Sequence, residues 1–162
     1  MSDVVALIED KIIDLMVADS NFNSVFFIQG VALNVPAQFY PNCEVHILTA
    51  RTVESYTGNW YQKAYTGEAR FYDRYQDKLT FSSRRAIVPS AAGVSSMVRF
   101  FTALFETTAN KNLQGLNGAD FSVTNIVLTD LAYGWEQRDQ RQNNWDNFGA
   151  VRFEVLTTEM GA

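Results

Sequence analysis

The chain has 162 residues, 47% hydrophobic and 19% charged, with a formal net charge of −5. That size and apolar content are enough for one domain, residues 1–162, with a buried core, and they exclude intrinsic disorder. An acidic balance also argues against a free-standing duplex-DNA binder, which carries a basic footprint.

One cysteine, Cys43, excludes an intramolecular disulfide framework and fits a reducing cytoplasm. The start MSDVVALIEDK has no cationic leader region, and no apolar run approaches the ~20 residues of a membrane span. The charge is uneven: Lys63, Arg70, Arg74, Lys78, Arg84 and Arg85 stand against only Glu68, Asp73 and Asp77 in the middle of the chain.

The first predicted element is a helix over SDVVALIEDKIIDLMVAD, with Ser2 as N-cap and Asp3 adding a favourable charge to the first turn. Val4, Val5, Ile8, Ile12, Leu15 and Met16 share one arc at helical spacing, and Asp3, Asp10 and Asp14 face away. A short apolar run, VFFIQ, and two prolines lead to a strand candidate, CEVHILTARTVES. WYQKAYTGEARFYDRYQ reads as a second extended segment with Gly67 a candidate bulge, and KLTFSSRRAIVP as a third.

A second helix follows from Ser90. Val94, Met97, Val98, Phe101, Leu104 and Phe105 recur at three- and four-residue steps, with Phe100 flanking, and Asn110, Lys111 and Asn112 mark its end. That helix cannot stand alone, because backbone ordering offsets the burial of its apolar face; it needs a sheet beneath it. FSVTNIVLTDLAYGW then reads as a β-branched strand interrupted by Gly134. In GAVRFEVLTTE, Val151, Phe153 and Val155 point one way and Arg152, Glu154 and Leu156 the other. These last two strands predict a hairpin whose long polar tip is residues 134–146. The fold class expected is α+β, a mainly antiparallel twisted sheet of about five strands with two amphipathic helices packed on it.

Candidate chemistry is sparse. His46 and Cys43 form CEVH, but three-residue spacing on a strand puts them on opposite faces, out of hydrogen-bond reach. Asp73, Asp77, Glu136, Asp139 and Asp146 are interleaved with Arg70, Arg74, Arg138 and Arg141, so solvated ion pairs are expected rather than acid/base pairs. No phosphate-loop, dinucleotide or nucleophile-elbow motif occurs, and no metal or cofactor is expected.

Trp60, Tyr61, Tyr65, Phe71, Tyr72 and Tyr75 with Lys63, Arg70 and Arg74 describe an aromatic, Arg-bearing sheet face. Such a face either stacks single-stranded bases or meets a neighbouring subunit, and the acidic chain favours the subunit. The polar run has five charges, Glu136, Arg138, Asp139, Arg141 and Asp146, that sum to −1, which argues for protein contact over nucleic acid. The candidate interface residues are therefore Trp60, Tyr61, Arg70, Tyr72, Arg74, Trp135, Arg138, Arg141 and Trp145.

The element order resembles the tail terminator (tail completion) proteins of long-tailed bacteriophages. The features that carry it are VVALIEDKIIDLM, the two-proline stretch PAQFYP, VRFFTALFETTANK and the closing strand GAVRFEVLTTE. The resemblance implies a non-enzymatic virion protein, assembled in the host cytoplasm and located in the tail or neck. Six copies would form a ring that caps the tail tube, stops its polymerisation and joins the head connector. Double-stranded DNA would pass through the lumen without specific binding, since an acidic lining repels it. Other neck, tube or baseplate roles, or a small ligand- or single-strand-binding domain, are the alternatives.

Overall fold

The computed structural model describes residues 3–32, 35–75, 93–139 and 144–161. Within them lie two helices, α1 (Val4–Val17) and α2 (Val94–Glu106). There are five strands, β1 (Phe26–Gln29), β2 (Asn42–Ser55), β3 (Trp60–Tyr75), β4 (Phe121–Asp139) and β5 (Asn144–Met160), and three single-turn 3-10 segments. The strands form one sheet in the order β1-β2-β3-β5-β4, antiparallel except for the parallel β1·β2 pair. The α+β class and mainly antiparallel five-stranded sheet agree with the sequence expectation. The fifth strand is the short run FFIQ, while KLTFSSRRAIVP lies outside the described residues.

Asp3, rather than Ser2, caps α1: its Oδ1 accepts from the Ala6 N–H at 3.1 Å, satisfying one donor that a helix start leaves open. Ile8, Ile12 and Met16 of α1 are fully buried, each contributing roughly 1.5–3 kcal/mol of burial. Val5, counted in the apolar arc, sits at its margin and is exposed. α2 begins at Val94 with Gly93 as its cap, and Val94, Met97, Val98, Phe101 and Phe105 are buried as the spacing demands.

Both helices cover one face of the sheet. A seam of rings joins them to it: Phe22 stacks on Phe71 at 6.0 Å, Phe71 meets Phe101 edge-on at 5.9 Å, and Phe101 stacks on Phe153 at 6.3 Å. Val151, Phe153 and Val155 of β5 supply the centre of this core, all fully buried, as the alternation in GAVRFEVLTTE requires.

Two glycines work differently from their sequence reading. Gly67 is no bulge; it pairs regularly with Phe153, and a Cβ there would lie 2.6 Å from the Phe153 ring. The ring lies across the glycine, so the bare Cα is what lets a phenylalanine fill the core there. The bulge falls one strand away, at Leu48 of β2, between the pairs Ile47↔Gly67 and Thr49↔Thr66. Gly134 does not interrupt β4 either. It pairs with Phe148, whose ring would be 2.9 Å from an added Cβ.

The hairpin tip is accordingly shorter than residues 134–146. Pairing continues through Trp135↔Asn147, Glu136↔Asp146 and Asp139↔Asn144, and β3 extends alongside to Tyr75↔Trp145. Polar side chains conceal these strand ends because the groups they meet are polar as well.

β1 is short because α1 takes over its role. Beyond Gln29 the chain leaves at Gly30, whose φ is +93° and whose N–H still donates to Val45 O at 2.8 Å. The next β2 donor, the Ile47 N–H, is met by the buried Glu9 carboxylate of α1 at 2.8 Å, and Gln29 Nε2 donates to the same carboxylate at 3.2 Å.

Candidate functional site

Strand alternation splits the aromatic, basic segment of β3 into two sets. Tyr65 and Phe71 turn toward the helices and are buried. Arg70, Tyr72 and Arg74, two residues apart, share the opposite face with their β5 neighbours Ala150, Phe148 and Asp146. The expected exposed aromatic face is thus only in part a face: Tyr65, Phe71 and Tyr72 are buried.

That opposite face carries two polar clusters. In the first, Arg70 Nε is 2.7 Å from Glu68 Oε1 and its Nη1 is 3.3 Å from Glu136 Oε2, while its guanidinium lies 4.6 Å from the centre of the Phe148 ring. Tyr72 Oη donates to the same Glu136 oxygen at 3.1 Å, and Arg152 Nη2 reaches Glu68 Oε2 at 3.4 Å. Burial raises the Tyr72 phenol well above its usual range, with Glu44 adding to it.

The second cluster lies under residues 35–41. Arg74 Nε holds Asp146 Oδ1 at 2.8 Å, Arg74 Nη1 donates to Val35 O at 2.9 Å, and Arg74 Nη2 donates to Tyr40 Oη at 2.7 Å. Tyr40 Oη donates in turn to Asp146 Oδ2 at 2.8 Å, and its ring lies under the guanidinium at 4.2 Å. The Arg74 side chain is 8% exposed and that of Asp146 0%, so the expectation of solvated ion pairs fails here. The cause is the chain 35–41, which folds over the end of β3 and excludes water. Asp73, beside them, has its carboxyl raised by burial first and by Asp146 as a further cause.

At the far end of the sheet, Glu159 is held between Tyr65 Oη, at 2.8 and 3.0 Å, and Thr157 Oγ1 at 2.8 Å. Burial raises the Tyr65 phenol well above its usual range, and the Glu159 hydrogen bond adds to it. Cys43 is fully buried and its thiol is raised well above its usual value by burial, with Glu44 adding; His46 lies on the opposite face of β2. The two therefore make no nucleophile pair. Among the described residues no group of three His, Cys, Asp or Glu side chains could hold a metal ion, and no helix is long and apolar enough to cross a membrane.

The nine candidate interface residues do not form one patch. Arg70, Tyr72 and Arg74 come together, with Arg74 committed to the buried cluster. Trp60 is exposed at the other end of β3, opposite the exposed Met160, and Tyr61 is half-buried beside the end of β5. Trp135 is half-buried on β4 opposite Asn147. Arg138 and Trp145 are placed by their backbones in β4 and β5, and Arg141 lies outside the described residues. Sequence reasoning missed Tyr40, Glu44, Glu68, Phe148 and Arg152 as members of these clusters. Period-2 counting from Arg70 along β3 would have found Glu68; Glu44, Phe148 and Arg152 needed the strand register, and Tyr40 needed the path of residues 35–41 across the end of β3.

No protein-family model matches the chain, and no curated protein matches it. Among solved structures, it is similar to a chain of the virion of a native gene transfer agent (GTA) particle. That likeness is 10% identical in sequence, covers 96% of this chain and 99% of that chain, and has a TM-score of 0.48.

Proposed function

We propose that the chain is a structural virion protein of the tail-terminator kind, a subunit of a six-membered ring that caps a tail tube and joins it to a head connector. The observation that supports this reading best is the layering: both helices cover one face of a single sheet, and the sheet's two edges are unlike. One edge is the four-residue β1 and the other the 19-residue β4. A closed ring is built from heterologous contacts, in which one surface of each subunit meets a different surface of the next, and unlike edges provide that pair.

The charged groups on the opposite face serve the same role. Arg70, Glu68, Glu136 and Arg152 neutralise one another in place, forming a rigid contact surface rather than a set of free acids and bases. In this reading the protein is not an enzyme, and DNA traverses the ring without base-specific contact. The test is genetic and morphological. Removing the chain from the particle's assembly set should give tubes of uncontrolled length that fail to join heads. Tails of normal length, joined to heads, would contradict the proposal.

A further inference from the structure

One half of the sheet lies between two edges that are both closed. Ile47 pairs with Gly67, Gly67 with Phe153 and Phe153 with Leu128; further along, Thr52 is joined through Lys63 and Thr157 to Val123. The β2 edge beyond Ile47 and the β4 edge from Leu128 back to Phe121 are therefore level with one another. On β2, where β1 has ended, the Glu9 carboxylate takes the Ile47 N–H at 2.8 Å. Beyond it the edge is broken by register shifts at Leu48 and Val53, and it carries Arg51 and Glu54. A covered donor, bulges and edge charges are devices by which a sheet refuses a further strand.

On β4 the cover is a piece of backbone. The chain that leaves α2 runs back along the strand, so that Ile126 N–H donates to Lys111 O at 2.6 Å and Val123 N–H to Leu116 O at 2.9 Å, with Asn117 bridging to Ser122. Between these two acceptors are three consecutive residues with left-handed backbone, Leu113 (φ 52°), Gln114 (φ 55°) and Gly115 (φ 73°). Residues other than glycine adopt that conformation singly and against a penalty, so a run of this kind persists only where its surroundings over-determine it. Here they do. Leu113 is fully buried in the core, Gln114 Nε2 donates to Asn110 Oδ1 at 3.3 Å, and Lys11 Nζ of α1 donates to Gln114 Oε1 at 3.4 Å. Asn110 is fixed in turn, its Nδ2 donating to Leu104 O at 2.9 Å.

We propose that residues 111–117 are a guard, a strained segment that occupies the β4 donors which a strand of another copy would otherwise take, matched by Glu9 at the same half of the opposite edge. The left-handed turn reverses the chain between the two acceptors and so aims both carbonyls at the strand. The other half of the sheet is built differently. Between Asp19 and Glu44, the stretch that holds β1, the sequence contains no Asp, Glu, Lys, Arg or His. The guards leave strand addition to the half that holds β1 and deny it to the rest, which limits how far a neighbouring copy can slide along the sheet. They act in this way whichever assembly the chain forms, independently of the ring.

The test uses Gly115→Ala in the full-length chain. The added Cβ would meet no atom of the described residues within 4 Å, so backbone strain at φ 73° is what the substitution introduces. A left-handed alanine should open the guard about 5–30-fold more often, read as faster amide exchange at Val123 and Ile126. At concentrations where the parent keeps one mass, the variant should give larger species under native conditions. Adding Thr124→Lys, a charge at an exposed position of the opened edge, should restore the parent's mass while exchange stays fast. Unchanged exchange at Val123 and Ile126 would show that the turn does not hold the guard. Fast exchange without larger species, or larger species that Thr124→Lys does not suppress, would overturn the guard itself. If Gly115→Ala does not fold, Glu9→Ala tests the matching guard: Ile47 should exchange faster and the same larger species should form, and fast exchange there without association would contradict the proposal.

Discussion

Replacing Asp146 with Ala removes the anion from a cluster sealed against water. Arg74 Nε would lose its 2.8 Å partner and Tyr40 Oη its acceptor, leaving a guanidinium whose side chain is 8% exposed. Breaking a buried ion pair by deleting one partner costs about 3–5 kcal/mol, because the remaining charge stays desolvated. That is a large fraction of the ~5–15 kcal/mol that stabilises a typical domain. At roughly 2–4 °C per kcal/mol for a chain of this size, the melting temperature should fall by about 6–20 °C.

Arg74→Ala should do similar damage, since it also frees Val35 O and unpins residues 35–41 from the sheet. The double variant should cost less than the sum of the two, giving a positive coupling in a double-mutant cycle. Chemical denaturation of the four proteins measures all of this. Single losses below about 1 kcal/mol, the range of exposed pairs, would show that the pair is solvated after all and that the chain 35–41 does not seal it.

Three further outcomes follow from the packing and the hydrogen bonds. Gly67→Ala should destabilise by about 1–3 kcal/mol, as overpacking does, because its Cβ would lie 2.6 Å from the Phe153 ring; an unchanged urea midpoint would show that the ring is free to move. Glu9→Ala leaves the Ile47 N–H without its acceptor and should cost about 1–3 kcal/mol, with faster amide exchange at Ile47 as its local signature; unchanged exchange would show that another group takes its place. Tyr65 and Tyr72 both have raised phenol pKa values, so the folded state holds protons that the unfolded chain releases above pH ~10. Stability from these groups is therefore complete below that pH and falls above it by about 1.4 kcal/mol per pH unit for each phenol; Tyr65→Phe should remove one of the two contributions, and a pH-independent melting temperature up to pH 11 would contradict it.

Those residues also show what the sequence could reveal. The alternation Val151, Phe153, Val155 and the helical spacing from Val94 to Phe105 were legible because each side chain's fate depends on its own element alone. Glu9 was not legible: it lies on the buried side of α1, and only the end of β1 creates the donor it answers. Asp146 sits in a run that looks solvated, yet it is buried because Tyr40, over a hundred residues earlier in sequence, is folded onto it. The glycines misled for a related reason. A glycine opposite a phenylalanine on the next strand makes room for a ring, and the sequence does not show which residue stands opposite. The candidate interface residues are scattered because strand geometry sends alternate residues of β3 to opposite faces, Trp60 lies far from the Arg70 cluster along β3, and Trp135 takes the opposite face from its neighbour Glu136.

The mass of the intact protein under native conditions decides between a ring and a monomer. Six subunits of 18.3 kDa should appear as one species of about 110 kDa, persistent on dilution. A single species of 18.3 kDa at all concentrations would contradict it.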